Sequence, residues 1–336
     1  MSIGAPRRLQ HEQPRLIADI GGTNARFALL DGVTPRDELV LPCADFPRLV
    51  DAVEHYLKTV GAISVSQRPV EGAMDIAGPI TGDHIRMTNH VWEFSAAATR
   101  RELRFERLIF LNDFTALAHS LRHLPMNELE PIGGGRPVPN APLAVLGPGT
   151  GLGVSGLIPA GDHWVPLQGE GGHATLSVMT EREIAVLAQL HTRFSHVSAE
   201  RVLSGPGLVN LYQALCALDK VVPRVLEPAD ISRRALDGSD RISMEAVSMF
   251  CALLGTLSGN LVLTLGAVGG LYLGGGIIPQ LGRLFTTSHF RDRFEDKGRY
   301  ADYLGDVPVY VIRTPLPAFI GLAHSFSAPG PRLEAA

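Results

Sequence analysis

A chain of 336 residues is long enough for two domains and a large core. Charged residues make up 19% of it, nearly balance to a net charge of −4 at pH 7 and form no Lys/Arg run longer than two, which excludes the electrostatic footprint of a nucleic-acid or anionic-membrane binder. Cys43, Cys216 and Cys251 are far apart and contain no C-x-x-C pair, which excludes a disulfide framework and structural zinc and suits a reducing cytoplasm.

Residues 1–14 carry two arginines but no apolar h-region, so they read as a disordered tail rather than a signal peptide. Leu16 to Ile20 then reads as a strand, Gly21 to Asn24 as a tight turn and Arg26 to Leu30 as a second strand. Glycines let backbone N–H groups form a concave nest for phosphate, and Thr23 and Asn24 add side-chain donors. Asp19, at the strand end, can hold a magnesium ion directly or through water. An ordinary hairpin turn accounts for the same residues equally well.

Phe46 to Thr59 reads as a helix, and Gly72 to Ala77 as a strand closing in Gly78 and Pro79. ITGDHIRMTNHVWEFS has the alternation of a small β excursion, with Trp92 and Phe94 as core or cleft wall. Asn89 and His90 within it are either cleft-lining groups or satisfied loop residues. Leu108 to Leu111 is a short buried strand handing over to the amphipathic helix of NDFTALAHSL, so Asn112 and Asp113 sit where open α/β sheets place their chemistry. Asp113 there is a helix N-cap, or a carboxylate that orients an alcohol and accepts its proton beside the Asn112 amide. Pro125 to Pro142, with five prolines and a Gly133–Gly135 run, reads as the crossover between lobes.

Leu143 to Leu157 repeats the strand, glycine turn and strand, with Gly149 and Thr150 in the places of Gly22 and Thr23. Two such hairpins on two half-chains imply a duplicated scaffold facing one nucleotide. The residues after the second turn extend as a strand, which excludes a dinucleotide fingerprint, and G-x-x-x-x-G-K-[ST] is absent. Glu170 and His173 lie on the glycine-rich loop GEGGH and offer acceptors and a donor for hydroxyls. Ser198 is the expected N-cap of the next helix. Glu200 would then stand in the first turn, where the helix dipole favours it whether or not it binds a ligand. Glu170, His173 and Glu200 have no recognised metal-ligand spacing.

Asp230 to Leu236 and Ser243 to Leu265 are helical by period. Cys251 to Gly282 has no charged residue, but its nine glycines, with a break at Gly269 and Gly270, predict a buried helix feeding a buried strand rather than a membrane span. GLYLGGGI opens onto a triple-glycine turn against which a flat adenine can lie. Phe290 to Tyr300 reads as a charged surface helix without chemistry, Val307 to Ile312 as the last strand and Leu316 to Ser325 as a last helix returning to the first lobe.

The ordered set DIGGTNARFALL, MTNHVWEFS, LNDFTALA, GPGTGLGV, GEGGH, HVSAERVLSGPGLVNLY, LYLGGGI and FEDKGR strongly resembles the bacterial glucokinases of the non-ROK, ATP-dependent type, over roughly Arg15 to Phe326. The resemblance implies an α/β, actin-like ATPase fold: two lobes with ribonuclease-H-like sheets and a cleft between them. The small lobe is expected over 15–124 plus 313–336, the large lobe over 125–312. It implies phosphoryl transfer from MgATP to the 6-hydroxyl of glucose, in a cytoplasmic homodimer. By motif match, Asp113 resembles the general base, and Asn112, Glu170, His173 and Glu200 the sugar ligands. Ala18, Asp19, Ile20, Gly21, Gly22 and Thr23 resemble the first phosphate loop with its magnesium-positioning carboxylate, Gly149 and Thr150 the second, and Gly275 and Gly276 the adenosine loop. Ala18 stands where a glycine is expected and Pro148 where a small residue is commoner. The ROK cysteine-rich zinc motif and a helix-turn-helix extension are both absent, which argues against a sugar-responsive repressor. A kinase for another hexose and a non-catalytic ATP-dependent sugar sensor are the alternatives.

Overall fold

The computed structural model describes residues 13–88 and 90–326. Most of the expected tail and Asn89 lie outside the described residues. Contacts divide the chain into two compact units, Met1–Ala116 with Ala318–Ala336, and Leu117–Pro317.

The first unit is built on β1 (Arg15–Ile20), β2 (Asn24–Asp31), β3 (Thr34–Pro42), α1 (Leu49–Thr59), β4 (Glu71–Ile76), β5 (His84–Arg86), β6 (Glu93–Ser95), α2 (Ala96–Glu102) and β7 (Arg107–Asn112). The first crossing between units falls inside α3 (Asp113–Ser120). Its sheet runs β3-β2-β1-β4-β7, antiparallel through the two hairpins and parallel from β1 to β4 to β7. β4 is buried almost throughout, and after Glu71 it reads as an apolar run broken only by Asp75. β5 and β6 form the small two-stranded excursion. Trp92 beside it is buried and donates its indole N–H to the Phe46 carbonyl at 2.9 Å. It is therefore a core residue with its polar edge satisfied.

The second unit comprises β8 (Leu129–Pro131), β9 (Leu143–Pro148), β10 (Leu152–Ala160), β11 (His163–Pro166), α4 (Glu181–His191), α5 (Gly205–Leu218), α6 (Pro228–Leu236), α7 (Arg241–Leu265), β12 (Gly270–Leu273), α8 (Ile277–Leu281), α9 (Arg283–Thr286), α10 (Phe290–Glu295), α11 (Ala301–Gly305) and β13 (Val309–Ile312). Its sheet runs β11-β10-β9-β12-β13-β8. The first five strands repeat the order and senses of the first unit's sheet, and β8 adds an antiparallel edge. The duplication expected from the two glycine hairpins is thus a duplication of whole sheets, an actin-like ATPase architecture. The last helix, α12 (Pro317–Ser325), belongs from Ala318 onward to the first unit.

α7 is long and apolar enough to cross a membrane by composition, but 67% of its apolar window is buried inside the protein. It ends at Leu265, as the periodicity predicts, with Gly266 at a left-handed φ of 62° as its cap. Three expectations fail. Ser198 does not begin a helix: α5 starts at Gly205, where the Ser204 hydroxyl accepts from the Gly207 N–H at 3.0 Å and Pro206 sits at the first turn. Glu200 therefore lies on the turn before the helix, outside the first turn where the dipole is strongest.

The stretch 290–300 is likewise not a charged surface helix. α10 stops at Glu295 and buries Phe290 and Phe294 completely, with a separate 3-10 turn over Gly298–Tyr300. Its arginines face inward: Arg291 donates to the carbonyls of Val307 at 3.0 Å and Gly305 at 2.8 Å, and Arg293 pairs with Glu183 at 2.6 Å. Burial pushes the Glu183 carboxyl up, but the Arg293 guanidinium and the Met179 and Thr180 N–H groups outweigh it and hold the carboxyl below its ordinary value. Finally, β3, α2, β8 and β11 were not expected as elements, and the first two complete the first unit around α1.

Candidate active site

In the first unit the chemistry collects at the carboxyl ends of β1, β4 and β7. The parallel register sets Asp19 opposite Asp75, and Ile76 opposite Asn112. Asn112 ends β7 and caps α3: its Oδ1 accepts from the N–H groups of Phe114 (2.9 Å) and Thr115 (3.3 Å). The capping role expected of Asp113 falls to its neighbour, although Asp113 Oδ1 also accepts from the Phe114 N–H at 2.8 Å. Asn112 donates from Nδ2 to the Gly78 carbonyl at 3.1 Å, which locks its amide and ties the β7 end to the loop after β4. Asp113 stands one residue further on, at the helix N-terminus, where the positive end of the dipole favours a carboxylate.

Asp19 Oδ2 accepts from Arg26 Nη1 at 2.9 Å, across the hairpin from its directly opposed neighbour. Asp75, which the sequence reading passed over, is fully buried, and neither carboxyl oxygen meets a hydrogen-bond donor. Burial, and then the charges of Asp19 and Asp113, push its carboxyl well above the ordinary range, with Arg26 opposing weakly. A proton on Asp75 lets the two facing carboxyls share a hydrogen bond. The available signal was a lone carboxylate inside an otherwise apolar strand.

The glycine turns differ in what occupies them. Gly21 N–H donates to the Asn24 carbonyl at 3.0 Å and Gly149 N–H to the Gly151 carbonyl at 2.8 Å, closing each hairpin. Among the described residues the Gly22, Thr23 and Thr150 N–H groups have no backbone acceptor, as a phosphate nest needs. In the second unit Gly275, at φ 78°, lies against the end of β9: a Cβ there would stand 2.4 Å from the Pro148 carbonyl oxygen. Only glycine fits, so the triple-glycine turn packs backbone to backbone onto the second hairpin, with Gly276 leading into α8. Pro148 is tolerated as the last residue of β9, where it faces Leu152 across the turn. Ala18 is fully buried inside β1, and Ile20 ends that strand, also buried.

The second unit brings Glu170, His173 and Glu200 together. Gly171–His173 forms a 3-10 turn, and the Glu200 N–H donates to the Gly172 carbonyl at 2.9 Å, drawing the two segments side by side. A Cβ on Gly172 would stand 2.0 Å from the Leu152 carbonyl oxygen, so the GEGGH loop seats directly on β10. His173 Nε2 lies 3.9 Å from Glu170 and Nδ1 3.8 Å from Glu200. Glu200 Oε2 is fixed by the Leu152 N–H at 2.9 Å. The three side chains stay accessible. Among the described residues no group of three or more His, Cys, Asp or Glu is arranged to hold a metal ion. His90 stacks edge-on against Trp92 and accepts from the Trp92 N–H at 3.2 Å, the bond of a satisfied loop residue.

A family model described as glucokinase matches residues 16–328. The chain is 52% identical over 325 residues to a glucokinase from Chromobacterium violaceum, covering 96% of this chain and 91% of that one. It is 49% identical over 330 residues to a bifunctional protein glk from Burkholderia pseudomallei, of which it spans 51%. The crystal structure of a glucokinase from an Antarctic psychrotroph superposes with a TM-score of 0.86 at 36% identity, over 94% of this chain and 99% of that one. With sheets, glycine turns and carboxylates placed as described, the chain belongs to the glucokinase family.

Proposed function

We propose that this protein transfers the γ-phosphoryl group of ATP to the 6-hydroxyl of glucose, with Asp113 as the general base. The observation that carries the reading is the pairing of a locked Asn112 with Asp113 at the β7–α3 junction. The Asn112 amide restrains the backbone that presents Asp113, and Asp113 accepts the hydroxyl proton as the sugar oxygen bonds to the γ-phosphorus and ADP leaves. Glu170, His173 and Glu200 read the remaining hydroxyls, two as acceptors and the imidazole as donor or acceptor.

The free N–H groups of Gly22, Thr23 and Thr150 suit the phosphates, and Gly275 and Gly276 suit the adenosine. Asp19 would hold Mg²⁺, through water, with the oxygen that Arg26 leaves unused. When bound, that ion neutralises the charge gathering on the phosphates. Positioning and charge neutralisation carry more of such a loose transition state than the base does. Three buried, unpaired cysteines suit a cytoplasmic protein, and a homodimer is what the resemblance implies.

The test is coupled product formation by the purified protein with MgATP and, separately, glucose, mannose, fructose and glucosamine, beside a no-sugar control. Glucose 6-phosphate well above the control supports the reading. A higher kcat/KM for another sugar moves the assignment to that hexose, and sugar-independent hydrolysis or none moves it to a sensor.

A further inference from the structure

A cavity of about 340 Å³ opens beside His173 and Glu200, walled by Arg193, Phe194, His196 and Arg201. The two guanidinium groups stack on the same ring, with their carbons 5.1 Å (Arg193) and 4.6 Å (Arg201) from the Phe194 centroid. Arg193 is held by Gln213 Oε1 at 2.8 Å and Asn210 Oδ1 at 3.1 Å, both neutral, so its direction is set while its charge is uncancelled. Among the described residues no carboxylate pairs with Arg201, whose guanidinium carbon lies over the ring. The Glu200 carboxylate spends one oxygen on the Leu152 N–H and turns the other towards His173. His196 Nε2 sits 3.1 Å from Thr175 Oγ1, on the segment that the Thr175–Ser198 bridge fastens down. Two oriented, unneutralised planar cations are the arrangement that recognises a phosphate dianion. The cavity exceeds what a lone phosphate fills, and its remaining wall is the hydroxyl-reading pair.

We propose that this cavity binds a sugar phosphomonoester, its phosphate on Arg193 and Arg201 and its hydroxyls at His173 and Glu200. The inference rests on the sugar-reading role given to those two residues above. An occupant placed this way takes the hydroxyl ligands His173 and Glu200 and sets its phosphate on Arg193 and Arg201. It therefore competes with glucose.

The experiment measures inhibition by added glucose 6-phosphate, and separately by inorganic phosphate, through ADP release. It compares wild type with Arg201→Gln and Arg193→Gln, alongside calorimetric binding of both probes to each protein. Inhibition competitive with glucose, with an inhibition constant raised about tenfold or more in both variants, is expected. Without the probe, kcat and the glucose KM should stay within about threefold of wild type. An unchanged inhibition constant in folded variants overturns the proposal, as does inorganic phosphate binding as tightly as the sugar ester. Each arginine variant is an independent test should the other fail to fold. If wild type does not phosphorylate glucose, the kinase reading fails. Calorimetry then still decides whether the arginines bind the ester.

Discussion

Asp19 and Asp75 face each other on neighbouring parallel strands, yet Asp19 is partly open and paired with Arg26 while Asp75 is sealed with no donor in reach. The two carboxyls of one sheet level thus carry opposite duties. One is partly open and ion-paired, while burial and its carboxylate neighbours push the other's pKa well above the ordinary range.

Because burial raises the Asp75 pKa in the folded state, its contribution to stability is complete below the ordinary value of 3.8 and is lost as pH climbs toward the folded value. Asp75→Asn keeps a donor towards Asp19 and cannot ionise. We expect the variant to be more stable than wild type above neutral pH, by about 1–3 kcal/mol, with a flatter profile. Thermal melts from pH 5 to 9 check this, and parallel profiles would refute it.

Asp113→Asn should fold normally, since Asn112 supplies the α3 cap. Turnover should fall about 10²–10⁴-fold with glucose affinity changed only a few-fold. Steady-state kinetics with calorimetric glucose binding decide it, and turnover close to wild type would remove Asp113 from the base role.

Arg293→Met leaves Glu183 buried without its partner, at a cost of about 3–5 kcal/mol in urea unfolding. In wild type the depressed Glu183 pKa means that its contribution is present above the ordinary value of 4.5 and lost as pH falls through the folded value. The variant should therefore lose less stability than wild type between about pH 5 and 3. A small, pH-independent change would show that the pair is not structural.

Two glycines separate fold from ligand. Gly275→Ala forces a Cβ against the Pro148 carbonyl at positive φ and should destabilise by more than about 1–2 kcal/mol. A Cβ on Gly149 meets nothing within 4 Å, so Gly149→Ala should melt like wild type while raising the KM for ATP. A melt lowered as far as that of Gly275→Ala would deny Gly149 a role confined to the nucleotide.

Short-range patterns carried much of the architecture. A strand, a glycine turn and a strand make a hairpin from neighbouring residues, so both hairpins and the β7–α3 junction were legible from LIADIGGTNARFALL, LAVLGPGTGLGVSGL and LIFLNDFT alone. The same holds for the β5–β6 excursion and the apolar character of α7. The start of α5 was readable in principle, because Ser204 and Pro206 are a cap and a first-turn residue. Ser198 carried an equal local signal, and the pairing of Thr175 with Ser198, with the Ala199 and Glu200 N–H groups donating to the Ala174 and Gly172 carbonyls, holds it out of the helix.

Long-range partners settled the rest. Arg291 and Arg293 look like surface charges until the carbonyls of Gly305 and Val307 and the Glu183 carboxylate close around them. Asp75 looks like one acid in a strand until the β1–β4 register sets it against Asp19. Arg193 shares the Phe194 ring with Arg201 while Asn210 and Gln213 of α5, distant in the chain, hold its guanidinium. Local sequence preferences sufficed for which segments turn and extend, since those preferences act within a few bonds. The tertiary structure alone decided which charges are buried, paired or left open, because the cost of a charge depends on neighbours that the chain order does not reveal.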